Sequence, residues 1–171
     1  PESLESIRWG AFAGCSSLTS VTIPAGVKNI DEGVFPGCAN LNQIVVDPDN
    51  PYYSSVDNCL YDEAMTTLLR CRADATSFTI PDGVTRVSDR AFEGCQNVMS
   101  IIIPDSVAFI GSAFRECTSL VSITIPEGVQ KILAGTFENC SALREVVIPA
   151  SVTTIEENAF AGCSSLESVL F

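Results

Sequence analysis

Histidine is absent from this 171-residue chain, basic residues are few, and no apolar run is long. Each shortage removes a class of function. Without an imidazole, nothing of that kind activates a serine or cysteine nucleophile. None completes a zinc site either, and the cysteines form no C-x-x-C pair. Nine Lys and Arg stand scattered against 21 Asp and Glu, a net charge of −12. No basic stripe exists to neutralise phosphates, so nucleic acid is not expected as a partner. The acidic balance is also repelled by anionic lipid. It reads as solubility and self-repulsion, or as a match for a basic patch on a protein partner. Apolar residues never run together for the roughly 18 positions a membrane helix requires, so no membrane insertion is expected in this segment. A glycine-rich phosphate loop is missing too. The expectation is no enzyme, no cofactor and no metal.

What is present is a phrase. Phe-x-x-Cys-x-x-Leu-x-x-Val-x-Ile-Pro returns about every 23 residues. Pro1, Pro24, Pro81, Pro104, Pro126 and Pro149 open six copies. Phe12, Phe35, Phe92, Phe114, Phe137 and Phe160 follow them, with Cys15, Cys38, Cys95, Cys117, Cys140 and Cys163 three residues later. A 20–30-residue period with fixed apolar positions marks a solenoid whose coils stack along one axis. The units are 1–23, 24–46, 81–103, 104–125, 126–148 and 149–171, with an expanded irregular unit at 47–80. The unit opening at Pro104 is one residue short.

In the coil from Pro126 to Ile148, Pro126-Glu127-Gly128 is turn chemistry: proline presets φ and glycine allows positive φ. Val129 and Ile132 point inward from a short extended stretch, and Phe137, Cys140 and Leu143 line the interior. Val146 and Ile148 alternate with polar or variable neighbours, the period-two pattern of a strand with one buried face. Stacking sets these strands side by side in a parallel sheet. The Phe-to-Leu segment has room for no more than a turn or two of helix or 3₁₀ structure. A lone coil buries too little to offset the entropy of ordering it, so stability is a nearest-neighbour property. The class expected is an α/β repeat solenoid with a parallel β-sheet.

The phrase resembles the leucine-rich repeats of the BspA-like, or Treponema pallidum-type, surface proteins, and the resemblance covers essentially the whole chain. It implies a right-handed leucine-rich-repeat solenoid on secreted or surface-anchored proteins of bacteria and trichomonads. It further implies an extracellular or cell-surface location and adhesion through contact with matrix or host-cell proteins. The alternative is a spacer that presents another domain and binds nothing itself.

Between Val46 and Pro81 the period fails. The stretch reads as a β-hairpin, with strands near 59–61 and 67–71 about a polar turn. It holds all three tyrosines, Tyr52, Tyr53 and Tyr61. One reading is a projecting binding element, since tyrosine offers amphipathic surface at low entropic cost. The other is a variant structural unit whose Tyr and Leu residues pack on the flanking coils, and the resembling family's similar Asn-Pro-Tyr-Tyr-Ser-Ser segments favour it.

Six cysteines share one position and should stack as an interior column, where buried thiols act as small hydrophobes. Their Cβ vectors point the same way, a poor geometry for disulfides. Cys59 and Cys71 stand off that column and face each other across the hairpin, where a disulfide is open. Asp47, Asp49, Asn50 and Asp57 offer oxygens, but at no spacing known for a calcium loop. Asn139-Cys140-Ser141 fits the glycosylation pattern by coincidence, because Cys140 should be buried.

Outward strand positions form one column mostly of Ser and another that mixes Thr with Val45, Ile102 and Val147. Such a face suits a protein laid across several coils, and equally reflects plain β-propensity. Trp9 is either an exposed contact or packed on a coil outside this segment. Neither end carries a polar cap, which leads us to expect a segment of a longer protein, one able to self-associate end to end.

Overall fold

The computed structural model describes residues 3–171; Pro1, which opens the first unit, lies outside the described residues. Most strands of the main sheet run to a proline, which has no amide to donate, while Asp47 takes that place after Val46. The chain then turns, and a valine amide returns to the proline carbonyl: 3.2 Å at Val27–Pro24, 3.2 Å at Val84–Pro81 and 3.1 Å at Val129–Pro126. Positive φ explains Gly83 (+94°). It does not explain Gly128, where an added Cβ would sit 2.8 Å from the Val107 carbonyl oxygen. There the absent side chain lets neighbouring coils approach.

The described residues form sixteen short strands and no helix: β1 (Ser6–Ile7), β2 (Ser20–Ile23), β3 (Asn29–Ile30), β4 (Gln43–Val46), β5 (Tyr53–Val56), β6 (Cys59–Asp62), β7 (Thr67–Arg70), β8 (Ser77–Thr79), β9 (Arg86–Val87), β10 (Ser100–Ile102), β11 (Phe109–Ile110), β12 (Ser122–Thr124), β13 (Lys131–Ile132), β14 (Glu145–Val147), β15 (Thr154–Ile155) and β16 (Ser168–Leu170). No helix here is long and apolar enough to cross a membrane.

Two ladders run along the solenoid. One is the main sheet, in which β2 pairs with β4, and β8, β10, β12, β14 and β16 form a five-stranded run; every pair is parallel and in register, as in Ser122↔Glu145 and Thr124↔Val147. The other is built from the two-residue strands after each proline turn. Solenoid, parallel sheet and period are as expected. The α part of the expected α/β class is absent from the described residues: the short Phe-to-Leu segment is a chain of i→i+3 turns, with the Cys117 amide donating to Phe114 (3.2 Å) and the Leu120 amide to Cys117 (3.1 Å). A left-handed residue precedes every ladder cysteine and resets the chain direction: Gly14 (φ 71°), Gly37 (71°), Gly94 (70°), Glu116 (61°), Asn139 (62°) and Gly162 (76°).

The expanded unit is a three-stranded meander, one strand more than the expected hairpin. β5 and β6 are antiparallel about Asp57-Asn58, and β6 pairs with β7. β7 then pairs in parallel with β9, so the meander extends the second ladder. It divides the interior into two buried clusters, one around Ile23, Phe35 and Leu41 and the other running from Cys59 to Ala159. Phenylalanine rings stack within each, Phe12 on Phe35 at 5.3 Å, then Phe92, Phe114, Phe137 and Phe160 at 5.2–5.3 Å, in favourable aromatic contact.

Candidate protein-interaction faces

The outward side of the main sheet is set by strand alternation. Ile101, Ile123 and Val146 are buried, and the residues on either side of them face out. Of the expected contact residues, Ile102 is 63% exposed and Val45 38%, whereas Val147 is half-buried. Sequence reasoning missed two further exposed apolar residues: Met99 and Val121 sit just ahead of β10 and β12. They lie on adjacent coils, the Val121 amide donating to the Met99 carbonyl at 3.1 Å. Their signal was available, since the same column holds Thr19, Asn42, Thr76, Arg144 and Glu167 elsewhere. The turns that follow carry exposed Asp82, Asp105 and Glu127, and none of the three forms an ion pair among the described residues.

The main sheet is interrupted between β4 and β8. Left-handed Asp57 and Asn58 form the tip between β5 and β6, with φ of 51° and 61°. The Asn58 carbonyl accepts from the Ile44 amide at 3.3 Å, and Ser55 Oγ accepts from the Val46 amide at 3.0 Å. These contacts satisfy the amides of the β4 edge, as a buried or partly buried backbone requires. Beside the tip lies an open hollow of about 440 Å³, lined by Asp57, Asn58, Arg72, Ser77, Phe78 and Thr79.

The three tyrosines have different fates. Tyr52 is 46% exposed. Tyr53 is half-buried, and its hydroxyl accepts from the Ile30 amide at 2.7 Å, holding the edge of β3. Tyr61 is a correction: it is 1% exposed, packed in the core beside Cys59 and Cys71, and offers no surface to a partner. Burial first, then those neighbours, push its hydroxyl far above the ordinary tyrosine range. Asn50 locks the entry to β5. Its amide nitrogen donates to the carbonyls of Pro24 (2.8 Å) and Val27 (3.0 Å), and its oxygen accepts from the amides of Tyr52 (2.8 Å) and Tyr53 (3.0 Å).

Arg70 is the residue the sequence concealed. It is 3% exposed and lies at the junction of the two clusters. Nη1 donates to the carbonyls of Arg90 (2.9 Å) and Glu93 (2.8 Å), and Nη2 to that of Cys38 (3.4 Å). A planar fork suits three carbonyls from two coils better than an ammonium would. Nearby, Glu32 reaches across the expanded unit to Arg86 (2.7 Å) and to the Asp89 amide (3.1 Å). Trp9 stays exposed, with the Arg90 guanidinium 5.9 Å from its ring centre and its indole close to Gly33.

Ladder thiols do more than fill space. Four of them donate to the carbonyl of the preceding coil's phenylalanine: Cys38 to Phe12 (3.1 Å), Cys117 to Phe92 (3.2 Å), Cys140 to Phe114 (3.0 Å) and Cys163 to Phe137 (3.1 Å). Cys95, which follows the expanded unit, donates to the Arg72 carbonyl instead, at 3.7 Å.

Comparison with known proteins agrees with this repeat geometry. The pattern described as "BspA type Leucine rich repeat region" matches residues 1–68 and 68–171, in six copies. The chain belongs to the BspA-type leucine-rich-repeat family. Among solved structures, a leucine-rich cell surface protein of Faecalibacterium prausnitzii A2-165 is similar at 31% identity and TM-score 0.77, over 99% of this chain and 52% of that one. The Treponema pallidum leucine-rich-repeat protein is 26% identical, with TM-score 0.57 over 97% of this chain and 62% of that one. The pneumococcal vaccine antigen PcpA shares the fold at 22% identity and TM-score 0.90, over 97% of this chain and 42% of that one. This BspA-type chain thus spans about half the length of those structures. A comparison with curated protein sequences returns no significant match.

Proposed function

We propose that this chain is a non-catalytic protein-binding module of an extracellular or cell-surface protein, taking its partner on the outward face of the main sheet. The observation that carries the reading is the exposure of Ile102 on the outward face amid small hydroxyls, with Met99 and Val121 also exposed just ahead of β10 and β12. A soluble repeat gains nothing from such side chains in water, and exposed apolar patches rimmed by polar residues mark partner surfaces. Unpaired Asp82, Asp105 and Glu127 along the same coils favour a partner that is basic at its edge, bound less tightly as salt rises. Membership of the BspA-type family and the likeness to a protein titled a cell surface protein support the location. The partner class is an extracellular-matrix or host-cell protein.

Biolayer interferometry of the folded chain against fibronectin, fibrinogen and further matrix proteins tests this. Saturable binding is expected, weakened at least ~10-fold by Ile102→Glu, the size of effect typical of a central contact residue. Val45→Glu and Tyr52→Ala map how far the footprint extends. Silence across the panel from a folded monomer, or binding indifferent to Ile102→Glu, overturns the reading in favour of a spacer.

A further inference from the structure

The eight cysteines do not share one environment. In the regular coils the sulfurs of Cys38, Cys95, Cys117, Cys140 and Cys163 each donate to a backbone carbonyl. In the expanded unit Cys59 opens β6, and Leu60 pairs with Arg70. One step further along that antiparallel pair sets Cys59 against Cys71. Their sulfurs are 3.7 Å apart, and both residues are fully buried. Drawing them to a disulfide length of about 2.05 Å takes a movement of about 1.7 Å, within reach of side-chain rotation.

We propose that Cys59 and Cys71 form a structural disulfide, a covalent strap across β6 and β7 made by exchange with a disulfide oxidant while the expanded unit folds or opens. The Cys59 thiolate attacks one sulfur of the oxidant, the oxidant's S–S bond breaks, and the departing thiolate takes up a proton. Cys71 then loses its proton and attacks the Cys59 sulfur of the mixed disulfide, expelling the second oxidant thiol. Two protein thiols and one oxidant disulfide become one protein disulfide and two oxidant thiols, with two electrons passing to the oxidant. Neither sulfur is open to solvent in the folded unit. β5 is the last strand of its sheet, so opening there admits the oxidant.

The strap closes a loop that includes the turn between β6 and β7, and cross-links of that size restrict the unfolded chain. The test is to refold the chain in a buffer of reduced and oxidised glutathione, quench with acid, alkylate, digest and map by mass spectrometry. A parallel sample of the folded chain is incubated with oxidised glutathione in urea below its unfolding transition. The expected result is six alkylated cysteines and one cross-linked peptide pair, Cys59 with Cys71. The melting temperature should rise by several degrees on oxidation, a rise that Cys59→Ser and Cys71→Ser each abolish. The wild-type map decides even where a variant fails to fold. Eight alkylated cysteines in chain shown to be folded, or cross-links joining Cys71 to Cys95 or the ladder cysteines to one another, overturn the proposal.

Discussion

At the scale of the residue, the sharpest determinants are polar groups set inside an apolar repeat. Arg70 carries a buried charge without a carboxylate partner among the described residues and spends its fork on three carbonyls of two different coils. Arg70→Met removes the charge but orphans those carbonyls, so a net loss of about 3 kcal/mol is expected in urea unfolding. Arg70→Lys should recover less than half of it, because an ammonium lacks the planar fork. Asp62 is a second case. Burial alone would raise its carboxyl, but hydrogen bonds from Thr66 Oγ1 (2.6 Å) and from the amides of Thr67 (2.9 Å) and Thr66 (2.7 Å) outweigh it and hold it below the usual 3.8. A carboxyl lowered on folding contributes stability above its unfolded pKa and loses it as pH falls through the folded value. The turn between β6 and β7 should therefore be indifferent to pH from neutrality down to about 4 and loosen below that. Amide shifts of Thr66 and Thr67 followed by NMR in an acid titration check this, and Asp62→Asn should remove the dependence.

At the scale of the element, each coil needs one residue in the left-handed region just before its cysteine. Four coils use glycine there, and two use Glu116 and Asn139. A side chain in that region costs about 1 kcal/mol or more, so Glu116→Gly should stabilise by about that amount. Gly94→Ala should destabilise by a similar amount, since an added Cβ there meets nothing within 4 Å and strain is its whole effect. Chemical denaturation of the two variants gives the pair of opposite shifts. The Gly-Cys dipeptide was visible in the sequence, but its substitution in two coils hid the rule. The period, the inward Phe, Cys and Leu, and the strands ending at proline were all legible because each follows from side-chain chemistry within one coil. β5 was not, because Tyr53-Ser54-Ser55-Val56 carries little alternation and is held by contacts from Asn50 and β6. Arg70 was not either, since its partners lie 20 to 32 residues away. On the candidate face, Ile102 and Val45 followed from alternation, whereas the exposure of Met99 and Val121 ahead of the strands required comparing one column across coils.

At the scale of the whole molecule, the meander makes one solenoid out of two cores, and that bears on how it comes apart. A repeat array without a break unfolds by nearest-neighbour terms along its length. Here the phenylalanine stack is discontinuous: Phe35 closes one run, and Phe92 opens the other with Phe78 edge-on to it at 5.5 Å. Phe114 is fully buried between Phe92 and Phe137, each 5.3 Å away, so Phe114→Ala opens a cavity with neighbours on both sides and should cost about 3–5 kcal/mol. Phe12 is half-buried and stacks on one ring, so Phe12→Ala should cost about half as much. The location of the damage tells more than its size. If the clusters couple only through the meander, hydrogen exchange of Phe114→Ala should lose protection across β8 to β16 while β2 and β4 keep theirs. The Phe12→Ala chain should show the converse. Uniform loss along both ladders in Phe114→Ala would mean that Arg70 and the Glu32–Arg86 pair bind the halves into one cooperative unit. In that case Arg70→Met combined with Phe114→Ala should restore the separation.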